Sequence, residues 1–285
     1  MKKKLRILTL ALVSILAISC SSNDSNSSNT TTPTNESSDL LLINNINEKS
    51  YKYVNAKEEL EYERLFEYTY TPDYLIDTFS IKYLINVDPY ENENLAPTEF
   101  IYDNSKQLIA IKQNGKNTNE FTYKDNLLVK SMSESHNNRT ISSFTYNSKK
   151  QVISSSTTST RIGEKESNPY VTKFNYTKDL ITEIITDNNE SISIQYDSNK
   201  NLFKDSFFNW QINSYEHFIE IVPIYKPQNN IIKYTDKYYE YNTLYEFDKA
   251  GYPIKEITTE KALQTGKIEK KTITSYTYKI VTVKK

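Results

Sequence analysis

Side chains that could carry chemistry are scarce in this sequence. It contains one cysteine, Cys20, and two histidines, His136 and His217. Two histidines are too few for a multi-histidine metal site, and a single cysteine excludes a disulfide framework and any cysteine-based metal or redox motif. The sequence also lacks the Gly-x-Ser-x-Gly motif of a nucleophile elbow and a Gly-rich phosphate loop. We therefore predict no metal, no cofactor and no catalytic residues.

Cys20 comes at the end of a segment that has the properties of a bacterial targeting signal. Lys2, Lys3, Lys4 and Arg6 form a basic region, and the apolar stretch 7–18 is shorter than the roughly 20 apolar residues of a spanning helix. Small and apolar residues before the cysteine resemble a lipobox, in which the cysteine is diacylated and becomes the new N-terminus. The alternative is a plain secretory signal with a chance cysteine at its end. We predict a lipoprotein signal peptide over 1–19 and lipid attachment at Cys20.

Residues 20–38 after the signal are almost entirely Ser, Asn and Thr, with almost no apolar side chain to bury. This composition predicts a disordered tether between the lipid anchor and the folded domain. Ser21 beside the cysteine resembles lipoproteins that are released to the outer membrane. Lipoproteins displayed at the cell surface often have an acidic signal just after the cysteine, and this chain has only Asp24 there. The predicted location is therefore the outer membrane, with the domain facing either the periplasm or the cell exterior.

Aromatic residues crowd into residues 203–233, which also hold the only tryptophan and His217. One interpretation is a core plug that closes one end of a sheet, since large aromatic side chains mostly serve burial. The other is an aromatic ligand surface, for instance one on which a sugar stacks. The candidate surface consists of Phe207, Phe208, Trp210, Tyr215 and Tyr225.

A strand–turn–strand pattern recurs along most of the chain and must position these residues. In Phe121–Lys130, an aromatic-x-Tyr strand is followed by a polar turn and an apolar pair that begins the next strand. Alternation with period two indicates strands with one buried face, and the polar turns indicate β-hairpins. The copies are Tyr68-Thr69-Tyr70, Phe100-Ile101-Tyr102, Phe121-Thr122-Tyr123, Phe144-Thr145-Tyr146, Phe174-Asn175-Tyr176, Ile194-Gln195-Tyr196, Tyr245-Glu246-Phe247 and Tyr276-Thr277-Tyr278.

This pattern predicts an all-β domain over 39–285, an antiparallel meander of consecutive hairpins curled into an open barrel or half-pipe. The strand faces opposite the aromatic residues carry Thr, Ser, Lys, Glu and Gln, which argues against the apolar band of a membrane barrel. Charged side chains would protect the exposed edges of the open sheet. Residues 56–60 could instead form a helical turn.

The form aromatic-x-Tyr-Asp-x-x-x-x-Leu is similar to the YD, or RHS-type, hairpin repeat. Residues 226–233, followed by the hairpin 245–255, resemble a family of Bacteroidota lipoproteins of unknown function. Members of that family have a Lys-Asn-apolar stretch before a Tyr-x-Tyr-Asp-x-x-Gly-Tyr-Pro-x-Lys hairpin. The resemblance implies a β-rich fold with an open, porin-like sheet and no assigned activity. Only the copy with Gly251 keeps the turn glycine of the pattern.

The formal net charge of −1 provides no basic surface for nucleic acid. We therefore expect a non-enzymatic lipoprotein that binds a glycan, a lipid or a protein and contacts the membrane through its anchor. One alternative is a structural or assembly component of the envelope. Another is a hydrolase with an unrecognised site, which would need His217 near a serine or a pair of carboxylates. The oligomeric state cannot be predicted from the sequence.

Overall fold

The computed structural model describes residues 37–86, 97–135, 137–161, 163–201 and 227–284. The regular structure in these ranges is entirely β, and none of their segments is a helix suited to crossing a membrane. The sixteen strands are β1 (Ser37–Val54), β2 (Lys57–Tyr70), β3 (Ile76–Asn86), β4 (Thr98–Tyr102), β5 (Leu108–Gln113), β6 (Lys116–Lys124), β7 (Leu127–Ser135), β8 (Asn138–Tyr146), β9 (Val152–Arg161), β10 (Tyr170–Thr177), β11 (Leu180–Ile185), β12 (Ser191–Lys200), β13 (Asn229–Thr235), β14 (Tyr239–Phe247), β15 (Pro253–Ala262) and β16 (Ile268–Lys284).

Each strand pairs with the next along the chain, and β16 lies beside β1, so that the sheet is a closed barrel. The Asn45 backbone N–H of β1 donates to Thr277 Oγ1 of β16 at 3.1 Å across this closure. The predicted all-β antiparallel meander is confirmed. The barrel is closed rather than open, so the described strands have no free edge for charged side chains to protect.

Several hairpins form because their turn residues tolerate a left-handed backbone. Asn114 and Gly115 connect β5 and β6 with φ angles of 53° and 72°, as a type I′ turn requires. Asn55 and Ala56 form the same kind of turn between β1 and β2, with φ angles of 51° and 62°. The helical turn considered for residues 56–60 is therefore wrong, because this stretch contains the turn and the start of β2.

A second type of turn uses an Asp or Asn side chain to hold the backbone. Asp248 Oδ1 accepts hydrogen bonds from the backbone N–H groups of Ala250 and Tyr252, both at 2.9 Å. Gly251 then adopts a φ angle of 83°. Glycine suits this position because it has no Cβ to clash with the backbone. The same bonds recur in the turns that begin at Asp103 and Asn147, where Lys106 and Lys150 occupy the left-handed position.

A β-bulge recurs at one register position in the seven hairpins from β2–β3 to β14–β15. In β8–β9, for example, Tyr146 pairs with Val152 and the neighbouring Thr145 pairs with Ser154, which leaves one residue of β9 unpaired. A bulge of this kind disrupts the ladder locally and bends the strand. In each hairpin the register shifts immediately before the repeated aromatic residue, at Tyr70, Tyr102, Tyr123, Tyr146, Tyr176, Tyr196 and Phe247.

In several hairpins, a tyrosine hydroxyl donates a hydrogen bond to the backbone of the hairpin that precedes it in the chain. The Tyr146 hydroxyl of β8 donates to the carbonyl oxygen of Leu128, the residue at the bulge of the preceding hairpin, at 2.6 Å. We call this contact the inter-hairpin tyrosine bond. It satisfies a backbone carbonyl beside a disrupted part of the ladder. It also occurs from Tyr70 to Ile43, Tyr102 to Ile76, Tyr196 to Ile181, Tyr245 to Ile231 and Tyr278 to Pro253.

The repeated apolar residues face the interior and form two clusters of buried side chains. One cluster is centred on β7–β13, the other contains residues of β1–β5 and β16, and Phe121 packs against both. Phe66, Ile181 and Ile184 are 0% exposed. Side chains that faced a water-filled channel would be exposed, so the barrel interior excludes water at the level of these residues.

The inter-hairpin tyrosine bond can be tested with Tyr146→Phe, which removes only the hydroxyl. We expect the free energy of unfolding to fall by about 1–2 kcal/mol, because the buried Leu128 carbonyl loses its donor. Tyr170→Phe is the matched control, since this side chain is 37% exposed. Urea denaturation of both variants measures the difference, and an equal effect of the two substitutions would contradict the role of the bond.

The turn between β1 and β2 can be tested with Ala56→Gly. We expect this substitution to raise the free energy of unfolding by about 1 kcal/mol, because a left-handed backbone is unfavourable for alanine. Ala110→Gly in β5 is the control and should lower stability, since glycine weakens a strand interior. A loss of stability in Ala56→Gly would show that the turn does not have this geometry.

Candidate functional site

A cavity of about 550 Å³ lies among the start of β1, the end of β2 with the following turn, and the end of β16. Small-molecule sites typically measure about 300–1,000 Å³. The cavity is lined by Leu42, Ile43, Asn44, Tyr68, Thr69, Tyr70, Thr71, Tyr74, Lys279, Ile280, Val281 and Thr282. We call it the Tyr68 pocket.

The pocket exists because the pairing between β1 and β2 ends before the strands do. Their ladder runs from Asn45, opposite Glu67, to Val54, opposite Lys57. The pocket residues 42–44 and 68–71 lie beyond the last pair. One inter-hairpin tyrosine bond still spans the two segments here, from the Tyr70 hydroxyl to the Ile43 carbonyl at 2.6 Å.

Tyr68 differs from the tyrosines that bond to backbone carbonyls. Its side chain is 7% exposed, and its hydroxyl is one of two buried side-chain polar atoms in the described chain that have no hydrogen-bond partner. Burial raises the pKa of Tyr68 well above its ordinary value, with smaller contributions from Tyr70 and Glu48. The hydroxyl therefore stays protonated and can donate a hydrogen bond. A buried polar group without a partner is costly, so this hydroxyl is an unfavourable feature of the barrel interior.

Tyr74 lines the same pocket in an unfavourable backbone conformation. Its φ angle is 63°, and its N–H donates to the Thr71 carbonyl at 2.9 Å, as the N–H of Lys106 does to Asp103 in a corresponding turn. Gly251 occupies this turn position in another hairpin. A bulky residue with positive φ is an outlier, and such residues cluster at ligand and active sites. The tyrosine at this turn position was the sequence signal of the pocket.

The pocket carries little charge. Among the described residues that line it, the exposed Lys279 is the one charged side chain and none carries a carboxylate. The rest of the lining combines aromatic rings and aliphatic side chains with hydroxyl and amide groups. Such a lining can hold a small polar molecule that also has an apolar face, with an anionic group placed near Lys279.

A buried ion pair faces the interior farther along β1 and β2. Arg64 Nε and Nη2 each lie 2.8 Å from Glu48 Oε1, and the exposed fractions of the two side chains are 21% and 4%. The guanidinium carbon of Arg64 lies 4.9 Å from the centre of the Tyr62 ring and 5.0 Å from that of Phe66. Arg64 compensates the charge of the Glu48 carboxylate. Glu48 lies near enough to Tyr68 to raise the pKa of the Tyr68 hydroxyl.

A second buried carboxylate lies on β15. The Tyr276 hydroxyl donates to Glu256 Oε2 at 2.7 Å, and the Thr258 hydroxyl donates to Oε1 at 3.2 Å. Burial and the neighbouring Glu256 raise the pKa of Tyr276 well above its ordinary value. These contacts satisfy Glu256 within the fold, so we interpret this group as structural.

The residues that the sequence singled out as site candidates lie outside the described part of the chain. The hydrolase hypothesis depended on His217, which also lies outside the described residues. Among the residues that the structure describes, no group of three or more His, Cys, Asp or Glu side chains is placed to hold a metal ion. The candidates concerned are Cys20, Phe207, Phe208, Trp210, Tyr215 and Tyr225.

Comparison with solved structures relates the barrel to a known fold. The chain is similar to the crystal structure of a porin-like protein from Bacteroides uniformis, with a TM-score of 0.58 and 13% sequence identity. The similarity covers 83% of this chain and 98% of that one. The two proteins share a fold. At this level of identity, the similarity concerns the fold alone.

Other comparisons are weaker. A porin-like protein from Bacteroides vulgatus has a TM-score of 0.30 and 12% identity, over 81% of this chain and 97% of that chain. The crystal structure of TcdB2-TccC3 has a TM-score of 0.20 and 14% identity, over 82% of this chain and 12% of that chain. Neither score supports a conclusion. No protein-family model and no curated protein matches the chain.

The ion pair between Glu48 and Arg64 can be tested by removing one partner or both. Arg64→Met should lower the free energy of unfolding by about 3–5 kcal/mol, because it leaves the Glu48 carboxylate buried without compensation. The double variant Glu48→Gln/Arg64→Met should recover much of that loss. Guanidinium denaturation measures both values. A loss of stability in the double variant that equals the sum of the losses in Glu48→Gln and Arg64→Met would contradict direct pairing.

Proposed function

We propose that the mature chain is a lipid-anchored envelope protein whose barrel binds a small ligand in the Tyr68 pocket without catalysing a reaction. The observation that carries the proposal is a cavity of about 550 Å³ that is lined by aromatic, aliphatic and hydroxyl-bearing side chains. The lipid on Cys20 provides the membrane anchor, as the lipobox-like sequence before it indicates. The anchored domain lies at the outer membrane.

The outer face of the barrel supports anchoring by lipid rather than by the barrel wall. Side chains that point outward from the hairpins include Thr122, Thr145, Lys173 and Gln195, and all four are exposed. A barrel that spans a membrane needs a continuous apolar band on this face. The fold similarity to a protein described as porin-like supports an envelope location.

The interior supports binding rather than conduction. Barrels with 16 to 18 strands in porins leave a water-filled channel. In this barrel Phe66, Ile181 and Ile184 are 0% exposed, so the interior is dry at their level. A closed interior and a pocket at one end of β1 and β16 are properties of a binding protein.

Lipid anchoring can be tested with Cys20→Ser. We expect this variant to lose incorporation of radiolabelled palmitate and to leave the membrane fraction, because the serine hydroxyl cannot form the thioether to lipid. Ser21→Ala is the control and should keep both the label and the membrane association. A Cys20→Ser protein that remains acylated would contradict the anchor.

Ligand binding can be tested with Asn44→Trp, which places a large ring at an exposed residue that lines the pocket. Mature lipoprotein in nanodiscs is screened by ligand-observed NMR against carboxylates, neutral sugars, amines and fatty acids. We expect at least one class to bind the wild type and to lose its signal in Asn44→Trp. Thr122→Trp on the outer face is the control and should bind normally.

The proposed function is contradicted if no compound of the screen binds the wild type, or if binding is unchanged in Asn44→Trp. In either case the Tyr68 pocket is a packing defect rather than a binding site.

A further inference from the structure

We propose that Met132 is a site of oxidative modification, and that Arg139 binds the oxygen of the resulting methionine sulfoxide. The site lies on the outer face of β7 and β8 and is independent of the ligand that the barrel binds. Three features support it: the outward position of Met132, the contact between its sulfur and Arg139, and the ion pair that holds Arg139 beside it.

Met132 faces outward from the barrel wall. Lys130, two residues before it on β7, lies on the same face and pairs with Thr122 and Ser143, which are both exposed. The Met132 side chain is itself partly exposed. An oxidant dissolved in water therefore reaches this side chain, and a polar oxygen added to it would not enter the apolar core.

Arg139 on β8 lies beside the sulfur of Met132. The Arg139 Nε–H donates to Met132 Sδ, with the two heavy atoms 3.0 Å apart. Met132 pairs with Ile141, two residues after Arg139, so the two side chains are diagonal neighbours across the strands. Long side chains in this relation reach one another. Because a thioether sulfur is a weak acceptor, the reduced methionine uses this cationic donor poorly.

Oxidation converts the weak acceptor into a strong one. A hydroperoxide transfers one oxygen to the sulfur: the sulfur lone pair forms the S–O bond, the O–O bond breaks, and the proton of the transferred oxygen passes to the departing one. The sulfur loses two electrons and the peroxide leaves as water or an alcohol. The sulfoxide oxygen then accepts from Arg139 in a charge-assisted hydrogen bond. The Arg139 side chain is 51% exposed, so it can turn to admit the added oxygen.

Glu134 holds the guanidinium at this position. It pairs with Arg139 across β7 and β8, and Glu134 Oε1 lies 3.7 Å from Arg139 Nε. Both side chains are about half exposed, and an ion pair of this kind stabilises little on its own. A sulfoxide oxygen provides the guanidinium with a second strong acceptor. Oxidation should therefore strengthen the contact between the two strands rather than weaken it.

The proposal is tested by treating the mature lipoprotein in detergent with hydrogen peroxide. The chain has two methionines, and Met1 belongs to the predicted signal peptide, so Met132 is the one methionine of the predicted mature chain. Peptide mass mapping locates the added oxygen, and circular dichroism measures the unfolding midpoint Tm. We expect one oxygen on Met132 and a Tm that rises by about 2 °C, as for one added hydrogen bond to a charged group.

Three variants assign the effect. Met132→Leu removes the sulfur and should show no change in Tm on treatment, which controls for oxidation of other side chains. Arg139→Leu should still be oxidised at Met132, but its Tm should not rise. Arg161→Leu removes an exposed arginine that bonds to Glu164 instead, and this matched control should keep the rise.

A wild-type protein that gains no oxygen at Met132 would overturn the modification site. If the oxidised wild type has an unchanged or lower Tm, or if Arg139→Leu shows the same rise as the wild type, Arg139 does not bind the sulfoxide and the proposal is wrong.

Discussion

The barrel depends on how it satisfies the backbone at its repeated bulges. Each bulge interrupts the ladder beside a buried apolar residue, and a tyrosine of the next hairpin donates to the carbonyl of that residue in five places, with Leu128 and Ile181 as examples. Because an unsatisfied buried carbonyl is costly, these bonds favour one register between successive hairpins. The tyrosines therefore contribute both to the apolar core and to the order of the strands.

Tyr68 follows the same inward alternation but lacks such an acceptor, and the pocket lies where the pairing of β1 and β2 ends. The proposed function rests on the cavity at this position. The interior excludes water at the level of Phe66, Ile181 and Ile184, which supports the proposal that the barrel binds a ligand rather than conducting one.

Much of the fold is predictable from local patterns in the sequence. Period-two aromatic residues and turns such as Asn114-Gly115 predict the hairpins, because both signals act over a few residues. Closure is not predictable, since it joins Asn45 to Thr277 across 232 positions of the sequence. The Ala56 turn was missed because alanine disfavours positive φ. The pocket was missed because β1, β2 and β16 meet only in the closed barrel. Tyr74, at a turn position where other hairpins have lysine or glycine, was a visible departure from the pattern.

The central claim is that the Tyr68 hydroxyl, which has no partner in the described barrel, has no role in holding the fold together. The free energy of unfolding of Tyr68→Phe, measured by urea denaturation without ligand, tests it most directly. Removal of a buried hydroxyl that lacks a partner should leave stability unchanged or raise it by about 1 kcal/mol. A decrease of about 1 kcal/mol or more would show that the hydroxyl is bonded within the native barrel, and the account of the pocket would then be wrong.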